Sequence, residues 1–384
     1  MPGDYKSIVF INQSSGYLMI DIINAHSDLY DEIILLTGFL NPRETPLNPK
    51  VQVKYLSRYD RENNSSRFIS WLKFYLQCWF YVFFKFKKSN FYFVSNPPLT
   101  LFLAAFKKSQ SFVYLIYDVY PAALSENNII SKHSVLYRFW NYVNKIVLKK
   151  AKSIYTISEG MKSVFLDEIN IKKDYRDKVK VIPVWTNNNF FISIPKSENI
   201  FLKKYQAFNK FIIAYSGNLG KTHPIEFLIE SARHLKYDDD IIFFIIGEGD
   251  KKSKITNTIN KEGLKNIKVL DFQPTEIFPH SLAAIDIGVV TLEENTAQLS
   301  VPSKLFNLMS VAKPVITVSN NTSELAKIIN KNNMGENFSA NDVIDICNFI
   351  IKLKENKSIY DQYSLNSKKA SLNFTQDNAH KMIF

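Results

Sequence analysis

Short, nearly unbroken apolar runs alternate along this chain with stretches of helical periodicity, and the alternation comes in two blocks. In the first block the runs at 7–11, 32–37, 51–55, 90–95, 111–117, 153–157 and 179–183 predict strands. They are rich in Val, Ile, Phe and Tyr and are bounded by turn residues. Helices are expected to begin at 18–25 and to cover 99–106 and 135–150, with Gly16 in the loop after the first strand. Residues 187–197 are polar, include Pro195 and show no period, so they read as a linker. The second block predicts strands at 211–215, 241–246, 267–270, 285–291 and 315–318. Its helices are expected at 224–234, 251–262, 281–284, from Ser303 onward and at 324–330. The run at 241–246 is apolar throughout, as in the middle of a parallel sheet. Two such blocks mean an α/β chain of two doubly wound domains. The expected bounds are 1–190, a linker over 191–199, a second domain over 200–370 and a tail over 371–384 that crosses back to the first. Ligands of such sheets sit outside the carboxyl ends of strands, which for two facing domains is the cleft between them.

One stretch breaks the rhythm. Residues 68–86 read FISWLKFYLQCWFYVFFKF, about the length of a spanning helix. Ser70, Lys73, Gln77, Tyr81 and Lys88 recur at helical spacing and predict a polar stripe along one face. Arg67, Lys85, Lys87 and Lys88 flank or interrupt the apolar part. A wide apolar arc with Trp, Tyr and Lys suits a helix lying on a bilayer, or one buried in the first domain, better than a span.

Composition narrows the partners. The length of 384 residues leaves room for two cores, and 46% hydrophobic with 22% charged residues excludes a disordered chain. The formal net charge of +12 points to nucleic acid, an anionic membrane surface or a phosphorylated substrate. The lysines are scattered along helices and no nucleic-acid module is present, so nucleic acid is not expected. Cys78 and Cys347 form no metal spacing, which suits a reducing cytoplasm. Residues 1–13 show no basic leader followed by a long apolar core, so no signal peptide is expected.

The candidate chemistry gathers in the second block. In VPSKLFNLM (301–309), Pro302 stops the preceding segment, Ser303 can cap a helix, and Lys304 lies in its first turn. Free backbone N–H groups, a hydroxyl and an ammonium aimed at one point make a phosphate site. Three loops follow strands and share one rim: Gly217 to Gly220, Gly247 to Asp250, and the segment from Thr291 to Lys304. Glycines there let a nucleotide approach the backbone. Neither G-x-G-x-x-G nor G-x-x-x-x-G-K-[ST] is present. In the first block Asp118 follows a strand, where a carboxylate can orient or deprotonate an acceptor hydroxyl. His133 reads as a surface group, and His223 and His280 lie near the donor loops. Asp238-Asp239-Asp240 precedes a strand, at the wrong end of the sheet for a metal site, and reads as a solvated turn.

SGNLG, IIGEGD and VPSKLFNLMSVAKPVI, with YDVYP and IYTISEGM upstream, resemble family 4 of the retaining glycosyltransferases over nearly the whole chain. The closer resemblance is to bacterial enzymes of O-antigen and capsule assembly. It implies a GT-B fold of two Rossmann-like domains, with the nucleotide sugar held mainly by the second and the acceptor by the first. It also implies transfer with retained anomeric configuration, no cofactor and no obligatory metal, and a UDP-sugar rather than a GDP-sugar. By resemblance Gly217, Asn218 and Leu219 flank the donor diphosphate, with Lys221 near enough to add charge. Gly247 and Glu248 approach the nucleoside, and Ser303, Lys304 and Leu305 meet the diphosphate and donor sugar. Many relatives carry acids where this chain has Leu299 and Asn307; Asn307 can still bond a ribose diol, and Glu293 or Glu294 can stand in for the other. Gly16, Asp118, Ser158 and Glu159 fall on the acceptor side. The expected acceptor is a saccharide on undecaprenyl diphosphate, used at the inner face of the cytoplasmic membrane. A nucleotide-sugar epimerase of the same fold and a non-catalytic subunit of an assembly complex are the alternatives.

Overall fold

Apolar runs that find partners on both sides become interior strands, and here they form two all-parallel sheets. The computed structural model describes residues 6–60, 62–126, 128–171, 173–220, 223–292 and 301–384. The chain divides into one compact unit of Met1–Val184 with Gln376–Phe384 and another of Trp185–Thr375. In the first, seven strands lie in the order Val51–Tyr55, Glu32–Thr37, Ser7–Ile11, Asn90–Val94, Phe112–Ile116, Ser153–Thr156, Val179–Val181. In the second, six lie in the order Ile267–Leu270, Ile241–Ile246, Phe211–Ser216, Ile287–Thr291, Val315–Val318, Gly335–Phe338. Each sheet starts in the middle, grows outward one way, then crosses back and grows the other way. That is the doubly wound order, and its switch point lies beside the first strand of each unit. In the second unit the switch falls between Phe211–Ser216 and Ile287–Thr291, paired from Ile213↔Ile287 to Tyr215↔Val289. The loops after these two strands therefore open at the place where such sheets bind ligands.

The last residues belong to the first unit. Gln376 Nε2 donates to Asp21 Oδ1 at 3.1 Å, and Tyr155 Oη donates to the Ile383 carbonyl at 3.1 Å. The Phe384 N–H donates to His26 Nε2 at 3.0 Å, while Nδ1 of the same ring lies 2.7 Å from the Ile22 carbonyl. This fixes the neutral tautomer with the proton on Nδ1. His26 is fully buried, and loss of hydration pushes its pKa down to about 4. The folded state refuses a proton that the unfolded state takes from its ordinary value of 6.5 downward, so stability falls as pH drops from 6.5 toward 4. The expected loss is about 2 kcal/mol by pH 5. Melting curves at pH 7 and 5 check it: His26→Gln, which cannot titrate, flattens the dependence.

The aromatic segment is the helix Asn64–Phe80, continued by a π-helical turn over Tyr81–Lys85. Its N-terminus is capped by Asn63, which accepts from the Ser66 N–H at 2.8 Å. Of the expected polar stripe, Lys73, Gln77 and Lys88 are exposed and Ser70 is not. Ser70 is buried with Trp71, Phe74, Cys78 and Val82, whereas Phe68, Ile69, Leu72, Leu76, Trp79, Phe80 and Phe84 are exposed. Ser70 alone of the stripe is buried, where its Oγ accepts from the Asp60 N–H; Gln77 stays exposed while its Oε1 accepts from the Ser57 N–H. Among the described residues no helix is long and apolar enough to cross a membrane.

Candidate active site

Two glycine loops of the second unit are joined through their backbones. The Gly217 N–H donates to the Ile246 carbonyl at 2.9 Å, the Leu219 N–H to Glu248 at 2.7 Å, and the Lys251 N–H to Leu219 at 2.9 Å. Gly247 has φ +156°, and a Cβ on it would come within 1.9 Å of the Gly217 carbonyl oxygen. Only glycine fits there. The first loop is also held from below, where Tyr215 Oη donates to the Asn218 carbonyl at 2.7 Å.

Lys304 reaches over this floor from the start of the helix Lys304–Ser310. Its Nζ lies 2.8 Å from Tyr215 Oη and 4.1 Å from the centre of the Tyr215 ring. A Cβ on Gly217 would sit 2.6 Å from that Nζ, so the glycine gives the ammonium its position. Among the described residues no carboxylate pairs with it, and burial pushes its pKa down to about 7. His223 lies close enough to feel the charges of Lys304 and Lys251; burial first, and then those cations, push its pKa down to about 4. Among the described residues its Nδ1 is buried without a partner. Lys251 is fixed by the His223 carbonyl at 2.7 Å and Glu226 Oε2 at 3.0 Å. The result is a cationic rim over a polar backbone floor, built to receive an anion. Gly217→Ala displaces only the end of a flexible lysine. The expected result is about tenfold weaker binding of a nucleoside diphosphate with little change in melting temperature, read by calorimetry and thermal denaturation.

Several expected contacts take other forms. Ser303 is itself helical (φ −60°, ψ −23°) and makes no side-chain cap. The Leu305 and Phe306 N–H groups are taken by the carbonyls of Pro302 and Ser303, so this seven-residue helix does not present the row of free amides expected of it. Leu305 and Leu219 are both fully buried, and their side chains face the core rather than a ligand. Asn307 is 5% exposed, and its Oδ1 accepts from Thr186 Oγ1 at 2.6 Å, so its acceptor is engaged inside the protein and not open to a diol. Glu248 is exposed and pairs with Lys252 at 2.5 Å. Asn218 is exposed at the loop tip. Lys221, Glu293, Glu294 and Leu299 lie outside the described residues. His280 accepts from Asn199 through its carbonyl, and His133 is exposed. Asp238 and Asp240 pair with Lys354, so the acidic turn anchors the helix Val343–Glu355. Among the described residues no trio of His, Cys, Asp or Glu gathers. Lys251 and Tyr215 were not singled out by sequence; the signal for Tyr215 was its place near the end of the strand Phe211–Ser216, two residues before Gly217.

In the first unit Asp118 follows the strand Phe112–Ile116, and the Tyr117 and Asp118 N–H groups both donate to Ser95 Oγ, at 2.9 and 3.1 Å. Asp118 is exposed by area, while lost hydration from the protein around its carboxyl raises its pKa. Its charge raises the phenols of Tyr114 and Tyr120 in turn, after burial, which is the larger cause for both. Gly16 has open space where a Cβ would stand, so the protein does not crowd it. Ser158 is buried and caps the helix Glu159–Ile169 by accepting from the Met161 N–H at 3.1 Å, which makes it a structural group; Glu159 is exposed in the first turn.

Two doubly wound units, the second with a cationic rim at its switch point, define the GT-B architecture of sugar-nucleotide enzymes. Residues 197–370 match the family described as glycosyl transferases group 1, so that segment is similar to the glycosyltransferases of that group, and the chain as a whole has the GT-B fold. It is 26% identical over 264 residues to the probable glycosyltransferase WbjE of Pseudomonas aeruginosa, a match covering 68% of this chain and 65% of that protein. It is 32% identical over 120 residues to the putative colanic acid biosynthesis glycosyl transferase WcaI of Escherichia coli K12, covering 31% of this chain and 29% of that protein. The chain thus spans less than two thirds of the curated relatives it matches. Among solved structures, Anabaena Alr3699/HepE in complex with UDP-glucose superposes with a TM-score of 0.69 at 15% identity, covering 98% of this chain and 97% of that one.

Proposed function

We propose that this chain is a retaining glycosyltransferase that moves a sugar from a UDP-sugar to a saccharide acceptor in the assembly of a bacterial surface polysaccharide. The observation that carries this reading is Lys304, an ammonium with no carboxylate partner among the described residues, held over the joined loops at Gly217 and Gly247. In the reaction the bond from the anomeric carbon to the diphosphate oxygen breaks, and the acceptor oxygen bonds that carbon on the same face. The acceptor proton passes to the leaving diphosphate oxygen. Lys304 stabilises the charge that grows on the diphosphate, and Asp118 orients the acceptor hydroxyl. UDP is favoured because HepE, which shares the fold, is bound to UDP-glucose. Surface polysaccharide is favoured by the colanic acid relative.

A thermal-shift panel with UDP, GDP, ADP and UMP tests the reading. A ligand at a hundred times its Kd adds about 2.7 kcal/mol of stability. UDP is expected to shift the transition well beyond UMP; no response to any diphosphate removes the proposal.

The proposed acceptor is borne on a lipid diphosphate, which brings the chain against an anionic membrane. Phe68, Leu72, Leu76 and Phe80 are exposed at helical spacing, with Lys73, Lys85, Lys87 and Lys88 exposed beside or beyond them. This is the make-up of an interfacial helix. Flotation with phosphatidylglycerol vesicles is expected to carry the protein, with phosphatidylcholine vesicles much less so. Leu76→Glu with Phe80→Glu should release it, and equal flotation of that variant refutes the lipid contact.

A further inference from the structure

We infer that Tyr215 is a positioning residue for the donor: its phenol sets the Lys304 ammonium and the loop after its own strand in one register for a diphosphate. The inference rests on the reading of Lys304 as the group that meets the donor diphosphate, and names what holds it there.

Tyr215 belongs to the rigid middle of the second sheet. It is next to last in the strand Phe211–Ser216, paired with Ile245 on one side and Val289 on the other. Its side chain is fully buried, and burial raises the phenol above its ordinary value of 10, so the proton stays on the oxygen. A phenol has one proton to give and lone pairs to offer. The proton goes to the Asn218 carbonyl at 2.7 Å. Toward Lys304 the oxygen can therefore only accept, and Nζ donates to it at 2.8 Å. One atom serves the loop and the lysine together.

The loop end of this junction is fixed twice. The Asn218 carbonyl and the Leu219 N–H share one planar peptide. Tyr215 holds the carbonyl, and the Glu248 carbonyl takes the N–H at 2.7 Å. That peptide cannot turn without breaking one of the two bonds.

The lysine end is enclosed. The Tyr215 ring centre lies 4.1 Å from Nζ. A Cβ on Gly217 would come 2.6 Å from Nζ, 3.0 Å from Cε and 3.4 Å from Tyr215 Oη. The ammonium thus occupies a slot between an aromatic face and the Gly217 backbone. A lysine chain free in water samples many rotamers, and a ligand that had to order it would lose affinity. In this slot the ordering is done before the ligand arrives. Lys304 gives one N–H to the phenol, and an ammonium has two more for phosphate oxygens.

The test is calorimetry of UDP and UMP on the full chain, with thermal denaturation of the same samples to show that each variant is folded. Tyr215→Phe keeps the ring and removes only the hydroxyl. It should weaken UDP about tenfold and UMP less than about twofold, because the contact at stake is with the diphosphate. Tyr215→Leu also loses the ring and should weaken UDP about threefold more. In a Lys304→Met background, Tyr215→Phe should cost less than about threefold, because the lysine it positions is gone. UDP bound by Tyr215→Phe as tightly as by the wild type overturns the inference. So does an equal loss of UDP and UMP, or the full tenfold loss in the Lys304→Met background, since either makes the phenol a prop for the loop alone. In those cases UDP binding by the wild type leaves the transferase reading standing. If the wild type binds no UDP, that reading falls and the inference with it.

Discussion

Replacing Lys304 with Met lowers turnover with a UDP-sugar about 10²–10³-fold and at the same time raises the melting temperature. The two effects share a cause. The ammonium sits on Tyr215 with no paired carboxylate among the described residues, and its pKa is pushed down to about 7. A group so placed destabilises the empty fold whenever it is charged, and is kept because it meets charge that develops on the leaving diphosphate. The pH dependence has a definite sign. The folded pKa lies below the ordinary lysine value of 10.5, so the wild type loses stability as pH falls from 10.5 to about 7, and the loss is complete below that. The advantage of the Met variant is therefore largest below pH 7 and vanishes toward pH 10.5. Steady-state rates paired with melting curves at pH 6 and 9 check both halves. A variant that loses rate and stability together would instead mark Lys304 as a structural residue.

Nucleoside diphosphate binding takes up a proton. In the empty site Lys304 is about half neutral at pH 7, and a bound diphosphate restores its charge. Binding is expected to take up about half a proton at pH 7 and about one at pH 8.5, with affinity for UDP falling about twentyfold between pH 6.5 and 8.5. Calorimetry in buffers of different ionisation enthalpy counts the proton directly. Lys304→Met should abolish the uptake. If uptake persists in that variant, the titrating group is another, and His223, whose Nδ1 is buried without a partner among the described residues, is the next to replace.

The sheets were readable because period and composition agree. The runs at 7–11, 32–37, 51–55, 241–246, 267–270 and 315–318 are strands with those bounds. Gly335–Phe338 was not read as a strand because GENF carries two polar residues on an edge, where burial leaves no pattern. The helices Val343–Glu355 and Lys357–Ser371 also went unassigned. Within the site, a motif marks positions but not directions. Lys304 points to the loops, whereas Leu305 points to the core because helical geometry turns neighbours about 100° apart. The same holds for Leu219, whose backbone joins the loops while its side chain is buried. Asn307 reads as a ligand group until Thr186, far away in sequence, is found bonded to it. Ser70 falls in the polar stripe by its spacing yet is buried, because a polar residue that serves loop backbone looks, in sequence, like one that serves water.

The return of Gln376–Phe384 to the first unit has a consequence for synthesis. The ribosome releases the first sheet early, yet the residues that bond His26, Asp21 and Tyr155 emerge only after the whole of Trp185–Thr375. The first unit therefore waits unfinished while the second is made, and the buried aromatic cluster around His26 is closed by a peptide group that emerges only after the second unit.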